Sequence, residues 1–428
     1  MQTIEANFNL RRIGLSMLAA GALLVSHQTQ DAVASPVNTE PTATLAGSPL
    51  PSPENQLTRC VEPTNHDFQA VGHLLRQPVA KAFRADPNAP EIGPNSTEKE
   101  KDAADKYNLQ QEKTQQDFVK NVALKYGLET HDGNHYVRLM QEGLKRRDGS
   151  SASVASLLST ANAFLEKYGL EVGLATAKDH IDLGGRPLTA SEIETSNVRS
   201  TLINIVSAYS NMPKEYIELS GLKRIVLATG IDAQAYAPAT MKHDEIVINI
   251  NNDPTAGSVS EHTVRHEEYH QYDLASCSPS DQAVDLLFQG LNDPKHAIYG
   301  KGIYDTADPN LLDFNYGKGL EAGKLFRLEQ IDDVANYCKI LHKQRVAAGK
   351  LLSYSQYHPD VIEEKAEFGA EISDQGSYIQ LDDPSLGIVY KKFKFLLARL
   401  HHQNPGIADF FIRTSYRPVP EDYEKHCK

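Results

Sequence analysis

Residues 263–273, TVRHEEYHQYD, set two imidazoles four positions apart, with a carboxylate directly after the first. This His-Glu-x-x-His spacing has chemical meaning in an α-helix, where four residues rise about 6 Å and overshoot one turn by about 40°, so that His266 and His270 share a face. Both can then reach one ion. Glu267 lies about 100° around the helix from His266, placed to touch a ligand of that ion but not to bind the ion. The pair also constrains the rest of the chain, because a catalytic zinc takes three protein ligands and keeps a fourth position open. A further ligand has to come from elsewhere.

Extending the same helix does not supply it. A HExxHxxGxxH site needs Gly at 273 and His or Asp at 276, whereas this chain has Asp273 and Ser276. Asp273, one turn beyond His270, reads as a group that orients an imidazole or as plain helix surface. The remaining solution is a carboxylate on a second helix packed beside the first. A helical run over residues 360–374 contains Glu363-Glu364-Lys365-Ala366-Glu367-Phe368-Gly369-Ala370-Glu371. Its Gly369 and Ala370 are small enough for another helix to lie close. Glu329 has an aspartate four residues later but bulkier neighbours, and Glu363 or Glu364 can stand in for Glu367 by a shift of one turn.

The combination resembles the gluzincins, metallopeptidases that pair HExxH with a downstream glutamate in a Glu-x-x-Ala-Glu/Asp helix. The resemblance covers about residues 215–375. It implies zinc (Zn2+) bound by His266, His270 and Glu367, with Glu371 hydrogen-bonded to a ligand histidine as an outer group. It also implies an α+β, predominantly helical fold with a zincin-like catalytic region and a small sheet. Residues 245–250 would form the sheet edge that pairs with an extended peptide. Zinc would draw the pKa of its bound water towards ~7, and Glu267 would take the water's proton and pass it to the leaving amine. Tyr354, Tyr357, Tyr378 and His358 are candidates to stabilise the oxyanion.

Residues 1–34 have the pattern of an export signal. Arg11 and Arg12 precede an apolar run too short to span a bilayer, and Ala32-Val33-Ala34 offers a cleavage site. Residues 35–57 are Pro-, Ser- and Thr-rich and read as a disordered linker. Residues 58–190 read as a mainly helical N-terminal region and 191–428 as the metallopeptidase region. Helices are expected near residues 95–126 and 153–168, both ending in Lys-Tyr-Gly-Leu-Glu, which reads as a shared C-terminal cap. Further helices are expected at 191–209, 280–289, 320–349 and 386–401, and strands at 222–228 and 245–250. In an exported chain the four cysteines fit two disulfides, expected as Cys60–Cys427 and Cys277–Cys338.

A net charge of −13 argues against nucleic-acid binding, and no later run is long and apolar enough to anchor the chain in a membrane. The expected partner is a peptide or protein substrate; the sequence does not fix an oligomeric state. The resulting expectation is an exported, periplasmic or extracellular zinc peptidase. The alternative is a non-catalytic binding or structural protein of the cell envelope whose histidines are incidental or hold a structural ion.

Overall fold

The computed structural model describes residues 60–76, 96–144, 152–179, 181, 184–231, 235–236, 244–251, 258–277, 283–291, 361–373 and 388–414. The signal-like segment, the linker, Glu329, Cys338, Cys427 and the helix expected at 320–349 lie outside them. So do Tyr354, Tyr357, His358 and Tyr378.

In chain order the described elements are α1 (Asn65–Leu74), α2 (Glu98–Lys125), α3 (Asn134–Leu144), α4 (Val154–Leu165), β1 (Glu171–Leu174), α5 (Ala190–Ile193), α6 (Ser196–Tyr209) and α7 (Lys214–Ser220). Then come β2 (Arg224–Ala228), β3 (Ala235–Tyr236), β4 (Glu245–Asn249), α8 (Glu261–Ser276), α9 (Ala283–Gln289), α10 (Val361–Ser373), α11 (Ile388–Gln403) and α12 (Pro405–Thr414). The fold is predominantly helical with one small sheet.

Local chemistry explains several boundaries. Thr97 and Glu100 form a reciprocal capping box that starts α2. At its other end Gly127 takes a left-handed φ of 68°, and the Leu128 N–H reaches back to Ala123 O at 2.9 Å. Gly169 repeats this after α4 with φ 71° and a Leu170 N–H to Leu165 O bond of 3.1 Å. The repeated pentapeptide is therefore a common helix ending. The helix expected over 191–209 is broken at Glu194 and Thr195 into α5 and α6, and α12 lies in a tail with no such helix expected.

The sheet order is β1-β2-β4-β3, with β1, β2 and β4 parallel and β3 antiparallel to β4. Val172, Ile225 and Ile246 stand in one register across the parallel strands. Ile225, Leu227, Ile246 and Ile248 join the main core, while Val226, Ala228 and Val247 pack with Ala175 and Ile231 on the other face. Both faces are thus covered, as parallel strands require. One expectation changes. β4 is not the sheet edge, since Val247 and Ile248 also pair with β3. Residues on both sides of position 190 share one sheet and one apolar core, because β1 pairs with β2.

β4 leads into α8, whose start is capped by Ser260 accepting from the Thr263 N–H at 3.1 Å. Gln271 ties the middle of α8 back to the strand, donating to Glu245 O at 2.7 Å. α10 runs antiparallel along α8: Arg265 donates to Ser373 O, Tyr269 faces Gly369, and Asp273 meets Lys365. The three pairs advance by four residues on one helix and retreat by four on the other, so rows with the same spacing interdigitate.

The end of α8 is strapped to the start of the described chain. Cys277 is disulfide-bonded to Cys60, and the Val61 N–H donates to Ser276 O at 3.0 Å. Arg399 on α11 spans the strap, donating to Val61 O at 3.1 Å, to Cys277 Sγ at 3.0 Å and to Asp273. This replaces the expected Cys60–Cys427 and Cys277–Cys338 pairings. The backbone bond beside Cys60 brings it to the helix end, where Cys277 is the neighbouring thiol.

Candidate metal centre

Two side-chain ladders face each other across α8 and α10. His262, His266 and His270 repeat every four residues on α8, and Glu363, Glu367 and Glu371 repeat every four on α10. Because the helices are antiparallel, the rungs interleave in opposite order. His266 and His270 meet at Glu363, and His262 and His266 meet at Glu367.

The innermost group converges on a point. His266 Nε2 and His270 Nε2 are 3.1 Å apart, His266 Nε2 is 3.1 Å from Glu363 Oε2, and His270 Nε2 is 3.6 Å from Glu363 Oε1. One donor atom from each of the three residues lies within 4.8 Å of the others. Zinc–nitrogen bonds of about 2.0–2.1 Å at tetrahedral angles separate two nitrogens by about 3.3 Å, close to the spacing here. Two imidazoles and a carboxylate also match the donor chemistry of an open zinc site. The donor set therefore fits the metal that the resemblance implies.

Glu367 sits behind this group. Its Oε1 lies 3.0 Å from His266 Nδ1, and its Oε2 lies 3.1 Å from His262 Nε2. A proton on His266 Nδ1, facing that carboxylate, leaves the Nε2 lone pair aimed at the common point. Burial raises the pKa of Glu363, yet hydrogen bonds to His266 and His270 outweigh it and hold the carboxyl well below its usual range. Burial likewise opposes ionisation of Glu367, but the His262 and His266 side chains more than offset it. Burial disfavours charge on His266, while Glu363 and Glu367 lift its pKa well above the ordinary histidine value. Two carboxylates thus stand against a buried imidazole pair, an arrangement whose negative charge a cation would balance.

The arrangement shifts the expected roles. His266 and His270 are brought together as the spacing of four required. The carboxylate whose oxygens lie opposite the imidazole pair is that of Glu363, one turn from the expected Glu367, because the Tyr269–Gly369 and Asp273–Lys365 contacts set that rung. Glu367 stands against the His266 imidazole, a place Glu371 was expected to fill, and Glu371 is buried one turn further along α10. Glu364 is off the group altogether, fully buried against Lys392 of α11.

Asp273 does not serve an imidazole through its described contacts. Arg399 engages one oxygen and Lys365 the other. Burial would raise its pKa, but the charges of Arg399 and Lys365 bring it down to about 2. Lys365 also pairs with Asp285 of α9 at 2.5 Å, so Asp273 and Lys365 together tie α8, α9, α10 and α11.

Glu267 is buried beside His266, and its charge contributes to the raised pKa of that histidine. Glu268 turns into the core, where burial lifts its pKa to about 8 and its charge reaches Tyr209 and Tyr216. The adjacent glutamates thus divide between site and core. His262 is the member that the motif alone does not flag. The signal for it was present, since it stands four residues before His266.

Comparison with known proteins gives no match, whether to a protein-family model, to a curated protein or to a solved structure.

Proposed function

We propose that the protein is an exported zinc-dependent peptidase with a zincin-like catalytic region. The observation that carries this reading is the 3.1 Å approach of the His266 and His270 Nε2 atoms beside the Glu363 carboxylate. In this reading His266, His270 and Glu363 hold the ion. Zinc supplies a Lewis acid that polarises a substrate carbonyl and acidifies water.

The chain's own residues do the rest. Glu363 is 33% exposed, so the group opens to solvent on that side, where a peptide carbonyl can approach. Glu367 fixes the tautomer and ring angle of His266. Glu267, one position along the helix, accepts the proton of the attacking water and delivers it to the leaving amine.

Export is supported by the arginine-led apolar run at residues 11–25 and by the Cys60–Cys277 disulfide. No helix among the described residues is long and apolar enough to cross a membrane.

The test is zinc content together with hydrolysis of a mixed peptide library read by mass spectrometry. One zinc per chain and new cleavage products are expected from the wild type. Glu267→Gln should keep the zinc and lose the products. A wild-type protein that takes up no zinc, or a Glu267→Gln variant that still hydrolyses peptides, would overturn the reading.

A further inference from the structure

The metal group accounts for His266, His270 and Glu363, but the ladder continues one rung beyond it. His262 Nε2 lies 3.1 Å from Glu367 Oε2, while the other oxygen of the same carboxylate lies 3.0 Å from His266 Nδ1. Glu367 is therefore held between two imidazoles of one helix, one turn apart. It is almost fully buried, whereas the His262 side chain is 26% exposed. The three groups form a chain from the rim of the helix pair to a ligand of the ion.

We propose that His262 is a positioning residue of the metal centre, holding Glu367 against His266 and through it setting the orientation of that ligand. The inference rests on the metal-site reading above. Its physical basis is the geometry of a carboxylate with two oxygens. A carboxylate has only acceptors, so both nitrogens that face it must carry hydrogen. An N–H from His262 on Oε2 stops the carboxylate from rotating about its Cγ–Cδ bond and keeps Oε1 opposite Nδ1. Removing that N–H leaves a buried acceptor short of a donor, and the carboxylate then turns towards whatever polar group or water can replace it. His266 loses its fixed partner as a result, although nothing that touches the ion has changed.

His262 is placed for this role by the same helix geometry that pairs the ligands. A third histidine at a spacing of four continues the stripe, and the antiparallel course of α10 brings Glu367 between two rungs. The chemistry also requires Nε2 of His262 to be the protonated nitrogen. An isostere must therefore present its donor at that depth, which glutamine does and alanine does not.

A structural ion pair between two helices would look the same in the coordinates but would not control the ion. The test therefore reads the metal. The full chain is stripped of metal, and zinc affinity is measured by competition with a chromophoric chelator. The visible spectrum of the Co(II)-substituted protein is recorded beside it. His262→Ala should weaken zinc binding about tenfold, the scale of lost outer contacts to a ligand, and shift the Co(II) bands. His262→Gln should restore most of both. In a Glu367→Gln background, His262→Ala should change affinity little further, because the link it acts through is already cut. Wild-type affinity and an unchanged Co(II) spectrum in His262→Ala would overturn the inference while leaving the metal site standing. Fully additive losses in the double variant would overturn it too. A wild type that binds no zinc would instead bring down the reading beneath it. If His262→Ala does not fold, the comparison of His262→Gln with wild type decides, since a retained donor must give near wild-type affinity.

Discussion

Gly369 lies so close to the ring of Tyr269 that a Cβ on it would stand 1.9 Å from Cδ2 and 2.1 Å from Cγ. Those atoms are near the root of the tyrosine side chain, which cannot swing aside, so the two helices would have to part. Gly369→Ala is expected to cost about 3 kcal/mol or more, the upper range for overpacking a filled core. It should also lose zinc, because separating α8 from α10 pulls Glu363 away from His266 and His270. Urea unfolding and zinc content measure the two effects. A variant with wild-type stability and wild-type zinc would show that the helices are not in this contact.

The one-turn shift of the third position makes a prediction of its own. Glu363→Gln should reduce zinc affinity by at least about a hundredfold as the loss of a direct ligand, whereas Glu367→Gln should cost nearer tenfold as the loss of an outer contact. Glu364→Gln should leave affinity unchanged but destabilise the fold by about 3 kcal/mol, since it strands the buried Lys392 ammonium. Chelator competition on the three variants ranks them. A larger loss for Glu367 than for Glu363 would return the ligand role to Glu367.

That shift shows where sequence reasoning stops. The helix with His266 and His270, the second helix with its glutamates, and the close approach at Gly369 were all legible, because spacing and side-chain size dictate them. Glu363, Glu367 and Glu371 are equivalent by spacing, however, and only tertiary contacts such as Asp273 with Lys365 choose the rung. Cys60 meets Cys277 across 217 positions through a backbone bond between Val61 and Ser276 that no pattern announces. β4 is enclosed by β3, whose two residues are too few to carry a periodic signal. Asp273 read as an imidazole-orienting group or as helix surface because its partner Arg399 lies far along the chain on α11.

Asp273 predicts how stability depends on pH. Its folded pKa of about 2 lies below the ordinary 3.8, because the charges of Arg399 and Lys365 outweigh burial. A depressed folded pKa gives stability that is fully present above the unfolded value and is lost as pH falls through the folded one. The window is therefore pH 4 down to about 2, and the contribution is about 2 kcal/mol for a shift of this size. Asp273→Asn should destabilise the protein at neutral pH by about 3–5 kcal/mol, because two buried cations lose their counter-charge. It should also flatten the fall in stability between pH 4 and 2. Denaturant midpoints of wild type and variant across that range give the comparison. Parallel curves would mean that Asp273 does not titrate as its partners require.

The strap at the end of α8 should be partly covalent and partly polar in its effect. The Cys60–Cys277 bond closes a long loop, and disulfides of this kind contribute about 2–5 kcal/mol. Reduction leaves the Val61 N–H on Ser276 O and the Arg399 guanidinium on Val61 O and Asp273, so α8 should stay helical while its last turn loosens. A Cys60→Ser/Cys277→Ser variant should therefore unfold several degrees lower, with faster amide exchange over residues 273–276. Its zinc affinity should fall less than that of Glu367→Gln, because His270 lies almost two turns inside the strapped end. Hydrogen exchange read by mass spectrometry separates the outcomes. If exchange at residues 273–276 is unchanged and the unfolding temperature holds, the disulfide does not secure the helix end. If the zinc is lost outright, the strap reaches the metal group more directly than the polar contacts around Arg399 allow.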